Sequence, residues 1–318
     1  MIAAIEKIME HDVAGDPMSG LHWTRKTRAK IAQQLRKMGI TVGKTAVGTL
    51  LKKMKFSLRA NRKKLGTGNE TAQKRRIRDQ QFDQIRGMRE KFSRQNEPTV
   101  SVDSKKKEMV GNFKNNGKAW ERESRPVNDH DFLSQASGKA FPRGLYDVGR
   151  NTGFVTVGIS HDTAEFAVDA IKSWWVSEGC FEYKNAKRLL ILADSGGSNS
   201  AGSKMWKYYL QKKIADPYGL SITVCHYPTG ASKWNPIEHR LFGPISKNWE
   251  GIPLITYKTV LKHLRTTTTS KGLKVKAILN RKKYETRQKL TKNQAKELYI
   301  KFNNVLPKWN YTIKPCVK

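Results

Sequence analysis

The sequence predicts an α/β fold in which helices flank a mixed sheet, preceded by a small all-helical domain. Two changes in apolar spacing support this prediction. Up to residue 94 the apolar side chains recur at helical spacing, and after residue 95 they alternate as in strands. Beyond residue 160 helical and strand patterns take turns, which is the element order of an α/β layer. The 318 residues, 37% of them apolar, suffice for one ordinary domain and a small one.

The charge of the chain, +34 overall, predicts a polyanionic partner. Residues 20–94 carry a net +18 and residues 258–318 a net +15, whereas residues 95–257 carry only +4. Two basic flanks around a nearly neutral centre favour an enzyme core with nucleic-acid-binding arms over a ribosomal or histone-like protein. The chain has no run of about 18 apolar residues, and its flanks have no large apolar face, so no membrane association is expected. The three cysteines show no metal-binding spacing.

Two short amphipathic helices are predicted near the N-terminus. In "WTRKTRAKIAQQLRKMG", Ile31 and Leu35 lie at helical spacing and Gly39 follows as a C-cap. After a turn of about four residues, "KTAVGTLLKKMKF" repeats the period, which is the helix-turn-helix pattern. The candidate DNA contacts on the outer face of the second helix are Lys44, Thr45, Thr49, Lys52 and Lys53. A helical hairpin with a solvated basic face is the alternative, and the local charge of the segment favours DNA binding.

The next segments predict a linking helix and then strands. Residues 63–94 are polar with near-helical apolar steps, and "TVSVDS" alternates after a proline, as strands do. Asn116-Gly117 predicts a hairpin turn that leads into a second, antiparallel strand. "GFVTVGI" predicts a third strand, and "HDTAEFAVDAIKSWW" predicts a helix. "KRLLILAD" predicts a buried strand, followed by a helix, the strand "LSITVCHY" and a helix that starts at "NPIEHRLF".

Three acids in this order are candidates for a metal-dependent nuclease site. Asp103 lies in the first predicted strand, Asp194 ends the buried strand, and Glu238 begins the last helix. Such an enzyme holds two divalent cations about 4 Å apart, and hard cations prefer oxygen ligands. Each acid also has a structural explanation, because Asp residues commonly form turns and because Asn235, Pro236 and Glu238 together make a helix-start signature. Composition and periodicity leave both explanations open.

The chain resembles the Rhodopirellula-type DDE transposase domain family of bacterial insertion sequences. The resemblance rests on "GDPMSGLHWTRKTRAKIAQQL", "VSVDSKKKEMVGNFKNNGKAW", "LLILADSGGSN" and "HYPTGASKWNPIEHRLF". It implies an RNase H-like catalytic core and assigns Asp103, Asp194 and Glu238 as the acids that bind two Mg²⁺ or Mn²⁺ ions. It also implies double-stranded DNA partners, namely transposon ends and target DNA, a homodimer or larger synaptic assembly, and a cytoplasmic, nucleoid-associated bacterial protein.

The resemblance and the charge pattern together suggest a division of the chain into five parts. The parts are a short N-terminal segment (1–19), a helix-turn-helix domain (20–62), a basic helical linker (63–94), an RNase H-like catalytic domain (95–257) and a basic C-terminal extension (258–318). Family members usually carry more sequence before the first part, so a shortened form is expected. The C-terminal extension is expected to add phosphate contacts and to steepen the salt dependence of DNA binding.

The predicted function is that of a transposase that cuts DNA at transposon ends and joins the ends to target DNA. Further candidate phosphate contacts near the acids are Lys105, Lys106, Lys107 and Lys233. His226 and His239 have core or capping roles in the favoured interpretation. The alternatives are a non-catalytic helix-turn-helix regulator and an RNase H-like nuclease without strand transfer.

Overall fold

In the computed structural model, the chain forms two compact units, Met1–Thr67 and Gly68–Lys318. The structure describes residues 1–10, 13–16, 21–24, 27–54, 56, 71–119, 121–231 and 234–316. Within these ranges, no helix combines the length and the apolar character that a bilayer span requires. The candidate contact Lys233 and the predicted boundary between residues 62 and 63 lie outside the described residues.

The first unit contains the two predicted helices. Its elements are α1 (Ile2–Glu10), β1 (Val13–Asp16), β2 (Leu21–Thr24), α2 (Arg28–Lys37) and α3 (Lys44–Lys53), with β1 and β2 antiparallel. The side chain of Thr27 caps α2 by accepting a hydrogen bond from the Lys30 N–H. At the other end Gly39 adopts a left-handed φ of 78°, and Ile40 N donates to Leu35 O at 2.9 Å. This is a Schellman motif, in which a glycine without a Cβ ends the helix as predicted.

The second unit is built on a nine-stranded mixed sheet. Its strands are β3 (Thr99–Ser104), β4 (Glu108–Val110), β5 (Gly138–Asp147), β6 (Thr152–Gly158), β7 (Arg188–Ala193), β8 (Ser221–His226), β9 (Lys274–Asn280), β10 (Ile300–Phe302) and β11 (Asn310–Ile313). The order is β10-β11-β8-β7-β3-β5-β6-β9, and β4 pairs with β5. The central strand β3 is parallel to β7 on one side and antiparallel to β5 on the other. This arrangement is the RNase H-like core, so the predicted fold class is confirmed.

Helices cover both faces of this sheet. They are α4 (Ala72–Arg94), α5 (Ala164–Trp174), α6 (Cys180–Glu182), α7 (Lys204–Leu210), α8 (Asp216–Tyr218), α9 (Gly243–Asn248), α10 (Tyr257–Arg265) and α11 (Lys292–Lys296), with π-helical turns at Trp175–Gly179, Gln211–Ala215 and Glu238–Phe242. One face packs against α5 and α7, and the other packs against α4, the Glu238–Phe242 turn and α10. The predicted linking helix α4 therefore also belongs to the core, where Ile85 and Phe92 contact β7 and β8.

The predicted hairpin at Asn116-Gly117 does not form. β5 begins only at Gly138, and within the described residues 111–119 no strand adjoins the Asn-Gly pair. The pair instead packs on another turn, because Gly251 N donates to Asn116 O at 3.0 Å and Asn115 Nδ2 donates to Trp249 O at 2.8 Å. A Cβ at Gly117, whose φ is 111°, would lie 1.7 Å from Glu250 Cγ. The hydrogen bonds that a hairpin needs are thus made to a distant segment.

The predicted C-terminal extension is also corrected, because the sheet continues past residue 257. β9 pairs with β6 in parallel, and β11 pairs with β8, so both edges of the sheet come from residues 258–318. Edge strands expose one side to solvent and tolerate lysines there. In β9, Lys274 and Lys276 are exposed while Val275 and Ala277 are buried. The many lysines of residues 258–318 therefore made the segment look like a charged extension, although its apolar residues alternate as in a strand.

Candidate active site

Two of the predicted acids lie side by side at the ends of adjacent strands. In the parallel pair β3 and β7, Val102 is opposite Ala193. The next residues, Asp103 and Asp194, therefore lie side by side at the carboxyl ends of these two strands. Val102 and Ala193 both belong to the core under α5 and α7. Because successive side chains alternate between faces, Asp103 and Asp194 point to the opposite face. That face is the one covered by the Glu238–Phe242 turn.

Glu238 is held above this face by contacts of its helical turn with β3. The chain becomes helical at Pro236, as predicted, but Asn235 does not cap the helix with its side chain. Ser101 Oγ in β3 accepts from Ile237 N at 3.2 Å and donates to Asn235 Oδ1. Ser101 and Asn235 are fully buried. The start of the helix is thereby fixed to the strand that carries Asp103.

Two glycines let the helical turn approach the sheet. Gly144 lies opposite Asp103 in the β3–β5 pair, and a Cβ there would lie 2.5 Å from Phe242 Cε1. Gly153 in β6 plays the same part, since a Cβ at this position would lie 2.4 Å from Leu241 Cδ1. A Cβ at either position would force Phe242 or Leu241 to shift, so the close packing of the turn on the sheet depends on both glycines.

The three acids interact electrostatically. Burial, together with the charge of Asp194, raises the pKa of Asp103 to about 7, and Glu238 adds to the rise while Arg143 opposes it. Burial also raises the pKa of Glu238, with Asp194 contributing and a hydrogen bond to Asp103 opposing. Asp194 contributes to both shifts, and Asp103 and Glu238 share a hydrogen bond, which requires the three side chains to be neighbours. The sequence-predicted triplet is therefore brought together at one end of the sheet.

The family comparison agrees with this site. The model of the Rhodopirellula transposase DDE domain matches residues 4–315. The chain belongs to this family. The predicted membership is confirmed, and the chain is a transposase by family. No curated protein matches the sequence.

Solved structures of Mos1 transposase are similar to this family member. A pre-cleavage Mos1 transpososome is 13% identical with a TM-score of 0.45, and the alignment covers 82% of this chain and 69% of that chain. The Mos1 mariner paired-end complex with Mn is 14% identical with a TM-score of 0.44 and the same coverage. The Mos1 paired-end complex with the left transposon end is 12% identical with a TM-score of 0.43, again over 82% and 69%. The family assignment rests on the sequence match over nearly the whole chain.

A buried arginine that the sequence analysis missed supports Asp194 in this transposase fold. Arg143 in β5 is 1% exposed, and its Nη2 donates to Asn199 Oδ1 at 3.0 Å. Asn199 Nδ2 in turn donates to Asp194 Oδ1 at 2.8 Å. Arg143 Nη1 also donates to Ser104 Oγ at 2.8 Å and to Ser198 Oγ at 2.7 Å. A lone arginine inside the apolar run "KAFPRGLYDV" was the available signal for this role.

His226 fixes the backbone of Asp194 from the other side. Its Nδ1 lies 2.8 Å from Asp194 O, and its Nε2 lies 3.1 Å from Tyr311 Oη, which accepts from Trp206 Nε1 at 3.0 Å. Because Asp194 O can only accept, Nδ1 of His226 carries a proton and donates it to this carbonyl. Burial lowers the pKa of His226 to about 4, which keeps it neutral. His226 thus has a core role, and Tyr311 shows that the C-terminal strands support the site.

A cation would have to draw the three carboxylates closer. Among the described residues, no group of three His, Cys, Asp or Glu side chains is arranged to hold a metal ion as it stands. The donor chemistry nevertheless fits Mg²⁺ or Mn²⁺, because all three candidate ligands are carboxylates. Burial raises the pKa of Asp103 to about 7, and the negative charges of Asp194 and Glu238 beside it add to the rise. A divalent cation would compensate the same charge.

The candidate DNA contacts are partly exposed and partly engaged. Those on α3, namely Lys44, Thr45, Thr49, Lys52 and Lys53, are all exposed. Lys106 and Lys107 are exposed as well, whereas the Lys105 side chain is only 12% exposed. Lys105 Nζ pairs with Glu108 Oε1 at 3.2 Å and lies 4.7 Å from the Trp249 ring centre. Lys105 therefore has a packing role that the sequence did not indicate. His239 is exposed beside Glu238, whose pKa its charge lowers.

Proposed function

We propose that this chain is a DDE transposase that binds the ends of its insertion sequence and catalyses metal-dependent DNA cleavage and strand transfer. The observation that carries the proposal is the meeting of Asp103, Asp194 and Glu238 at one end of the sheet. Membership of a transposase family gives these acids a task, since three carboxylates on an RNase H-like core suit phosphodiester chemistry.

Asp103, Asp194 and Glu238 are the residues that would hold two Mg²⁺ or Mn²⁺ ions. When bound, such ions lower the pKa of water and stabilise the charge that develops on the phosphate. Asp103 must lose its proton before it can act as a ligand, and Arg143 favours this loss. Asn199 and His226 are buried and hold Asp194 by its side chain and its carbonyl, so they would orient a metal ligand from behind.

Cleavage and joining use the same acids with different nucleophiles. In the first reaction water attacks the scissile phosphate, and the 3′ oxygen leaves as a 3′-OH. In the second, that hydroxyl attacks a phosphate of target DNA, forming one phosphodiester bond and breaking another. The exposed face of α3 would bind the transposon end, and Lys106 and Lys107 would contact phosphates beside the acids. Two ends must meet, so the active form would be a homodimer or a larger assembly.

The test is cleavage of a duplex taken from the inverted repeats that flank the coding region, with Mg²⁺ or Mn²⁺ and a labelled target plasmid. Wild type should nick the duplex and join the labelled end to the plasmid. Asp103→Ala, Asp194→Ala and Glu238→Ala should each lower the rate by more than about 100-fold, since they remove ligands outright. An unaltered rate in any one of them removes that acid from the site.

The products of the same test separate the two alternatives. A non-catalytic regulator would bind the duplex and leave it intact in every variant. A nuclease without strand transfer would cut the duplex but attach no label to the plasmid. Retention of all three acids in one site favours catalysis over the regulator.

A further inference from the structure

A large cleft lies at the end of the sheet opposite the three acids. It has a volume of about 1160 Å³ and is lined by the second half of α4, the turn after β5 and the segment before β7. Thr99, the first residue of β3, lies in its wall, whereas Asp103 lies near the other end of the same strand. At about 3.3 Å per residue, the cleft is more than about 13 Å from the catalytic acids along the strand.

The described lining of the cleft contains more cations than acids. The cations are Arg86, Arg89, Arg94, Arg150 and Lys184, and the acids are Glu90, Glu97 and Glu182. Each of these acids has a partner: Glu90 lies 3.7 Å from Arg94, Glu182 lies 2.6 Å from Arg150, and Glu97 lies 3.1 Å from Arg188 just outside the lining.

The lining therefore has two more cations than acids, and its exposed cations Arg86, Arg89 and Lys184 are not the partners of these three acids. Arg86 makes one ion pair with Asp83 at 3.3 Å, but both side chains are about two-thirds exposed, at 70% and 68%. Pairs this exposed contribute little and exchange readily with another anion. Arginine stays charged at any working pH, and its planar group matches the geometry of phosphate. The cleft therefore offers a standing positive charge to an anionic ligand.

Helix α4 connects the cleft with the acids. Near the middle of the helix Gln81 Nε2 donates to His226 O at 2.8 Å, beside Asp194, and at the end of the helix Arg94 lines the cleft. Arg86 and Arg94 are separated by about 12 Å along the helix axis, at about 1.5 Å per residue. Phosphates of one DNA strand rise by about 3.4 Å each, so this stretch matches three to four nucleotides.

We propose that this cleft binds the phosphodiester backbone of DNA that extends from the active site along α4. The inference rests on the proposed function, and it adds a DNA contact made by residues other than those of α3 and the three acids. Phosphate is the matching chemistry because the exposed cations of the lining are two arginines and a lysine, the side chains that bind phosphate oxygens. An acidic protein segment is the competing occupant.

The test is the salt dependence of binding to a long random-sequence duplex, measured by fluorescence anisotropy of the full chain. In the variant Arg86→Ala/Arg89→Ala/Lys184→Ala, the slope of log affinity against log salt should become less negative by about 2 to 3. Each lost phosphate contact changes this slope by about 0.9. The control Lys114→Ala/Lys118→Ala/Arg122→Ala removes the same charge from exposed positions on the segment before β5. All six positions are exposed, so both variants should melt like wild type.

A slope that is unchanged, or that changes equally in both variants, overturns the proposal. The slope of the cleft variant could also stay unchanged while sedimentation shows a new oligomeric state. That result would mean that the cleft binds protein and not DNA, and it would also overturn the proposal. The proposed function is judged separately by cleavage. If the cleft variant binds like wild type while Asp103→Ala no longer cuts, only the cleft is wrong. If wild type does not cut, the function is wrong and the slope still decides the cleft.

Discussion

At Asp103, burial and two neighbouring acids raise the pKa on folding, so the free energy of unfolding depends on whether this carboxyl group is protonated. The folded pKa of about 7 lies above the unfolded value of 3.8, so the folded state binds the proton more tightly. This stabilisation is complete below about pH 4 and is lost as the pH rises to about 7. Without metal, the free energy of unfolding should therefore fall over that range by about 1–4 kcal/mol from this group.

Urea unfolding with a chelator at about pH 5 and about pH 8 measures this loss. Asp103→Asn keeps the size of the side chain but cannot ionise, so it should reduce the loss. Added Mg²⁺ should restore stability to wild type at the higher pH and have little effect on Asp103→Asn. The same difference in stability between the two pH values in wild type and variant would contradict the explanation.

A second prediction concerns how Asp194 is oriented. Asn199 donates to the carboxylate of Asp194 and accepts from Arg143, so Asn199→Ala frees the ligand to rotate. We expect a metal requirement for cleavage that is about 10- to 100-fold higher. Ser198→Ala is the control, because it also removes a hydrogen bond to Arg143 but none to Asp194. Equal shifts in both variants would mean that Arg143, and not the orientation of Asp194, determines the effect.

At the scale of elements, the sequence predicted the strands and the order of the acids but not the contacts that join them. Buried strands such as β7 are continuous apolar runs, and their periodicity suffices to predict them. The hydrogen bond by which Ser101 caps the Glu238 helix could not be predicted from local sequence, because Ser101 and Ile237 are 136 residues apart. Local rules assigned that cap to Asn235 and a hairpin to Asn116-Gly117, and in both places a distant partner competes successfully for the hydrogen bonds.

The packing of the Glu238 turn on β5 gives a prediction for an element. Gly144→Ala should push Phe242 and Ile237 away from the sheet, since the new Cβ would lie 2.5 Å from Phe242 and 3.0 Å from Ile237. We expect the free energy of unfolding to fall by about 1–3 kcal/mol. The rate of cleavage should fall more than this loss of folded protein explains, because Glu238 moves with the turn.

Gly87→Ala in α4 is the control, because its Cβ meets nothing within 4 Å, and it should stabilise the chain by about 1 kcal/mol. Normal cleavage by a folded Gly144→Ala would show that Glu238 does not depend on this contact.

At the scale of the whole molecule, the division of the chain predicted from charge differs from the division made by folding. The basic C-terminal segment supplies β9, β10 and β11, and Tyr311 of β11 reaches Asp194 through His226. Charge describes the surface of a segment, whereas membership of the sheet depends on its buried side, so the two need not coincide. The lysines of this segment remain candidates for phosphate contacts. The strands that carry them are also part of the sheet that supports the acids.

Separating these two roles is the last prediction. Deleting the chain after Leu298 removes β10 and β11, which leaves β8 as an open edge and breaks the Tyr311–His226 hydrogen bond. We expect this truncated chain to lose its cooperative thermal transition. Lys271→Ala/Lys274→Ala/Lys283→Ala changes only exposed side chains and should melt like wild type while flattening the salt dependence of DNA binding by up to about 3. Circular dichroism and anisotropy measure the two effects, and a truncated chain that still melts cooperatively would make the C-terminal strands an accessory to the fold.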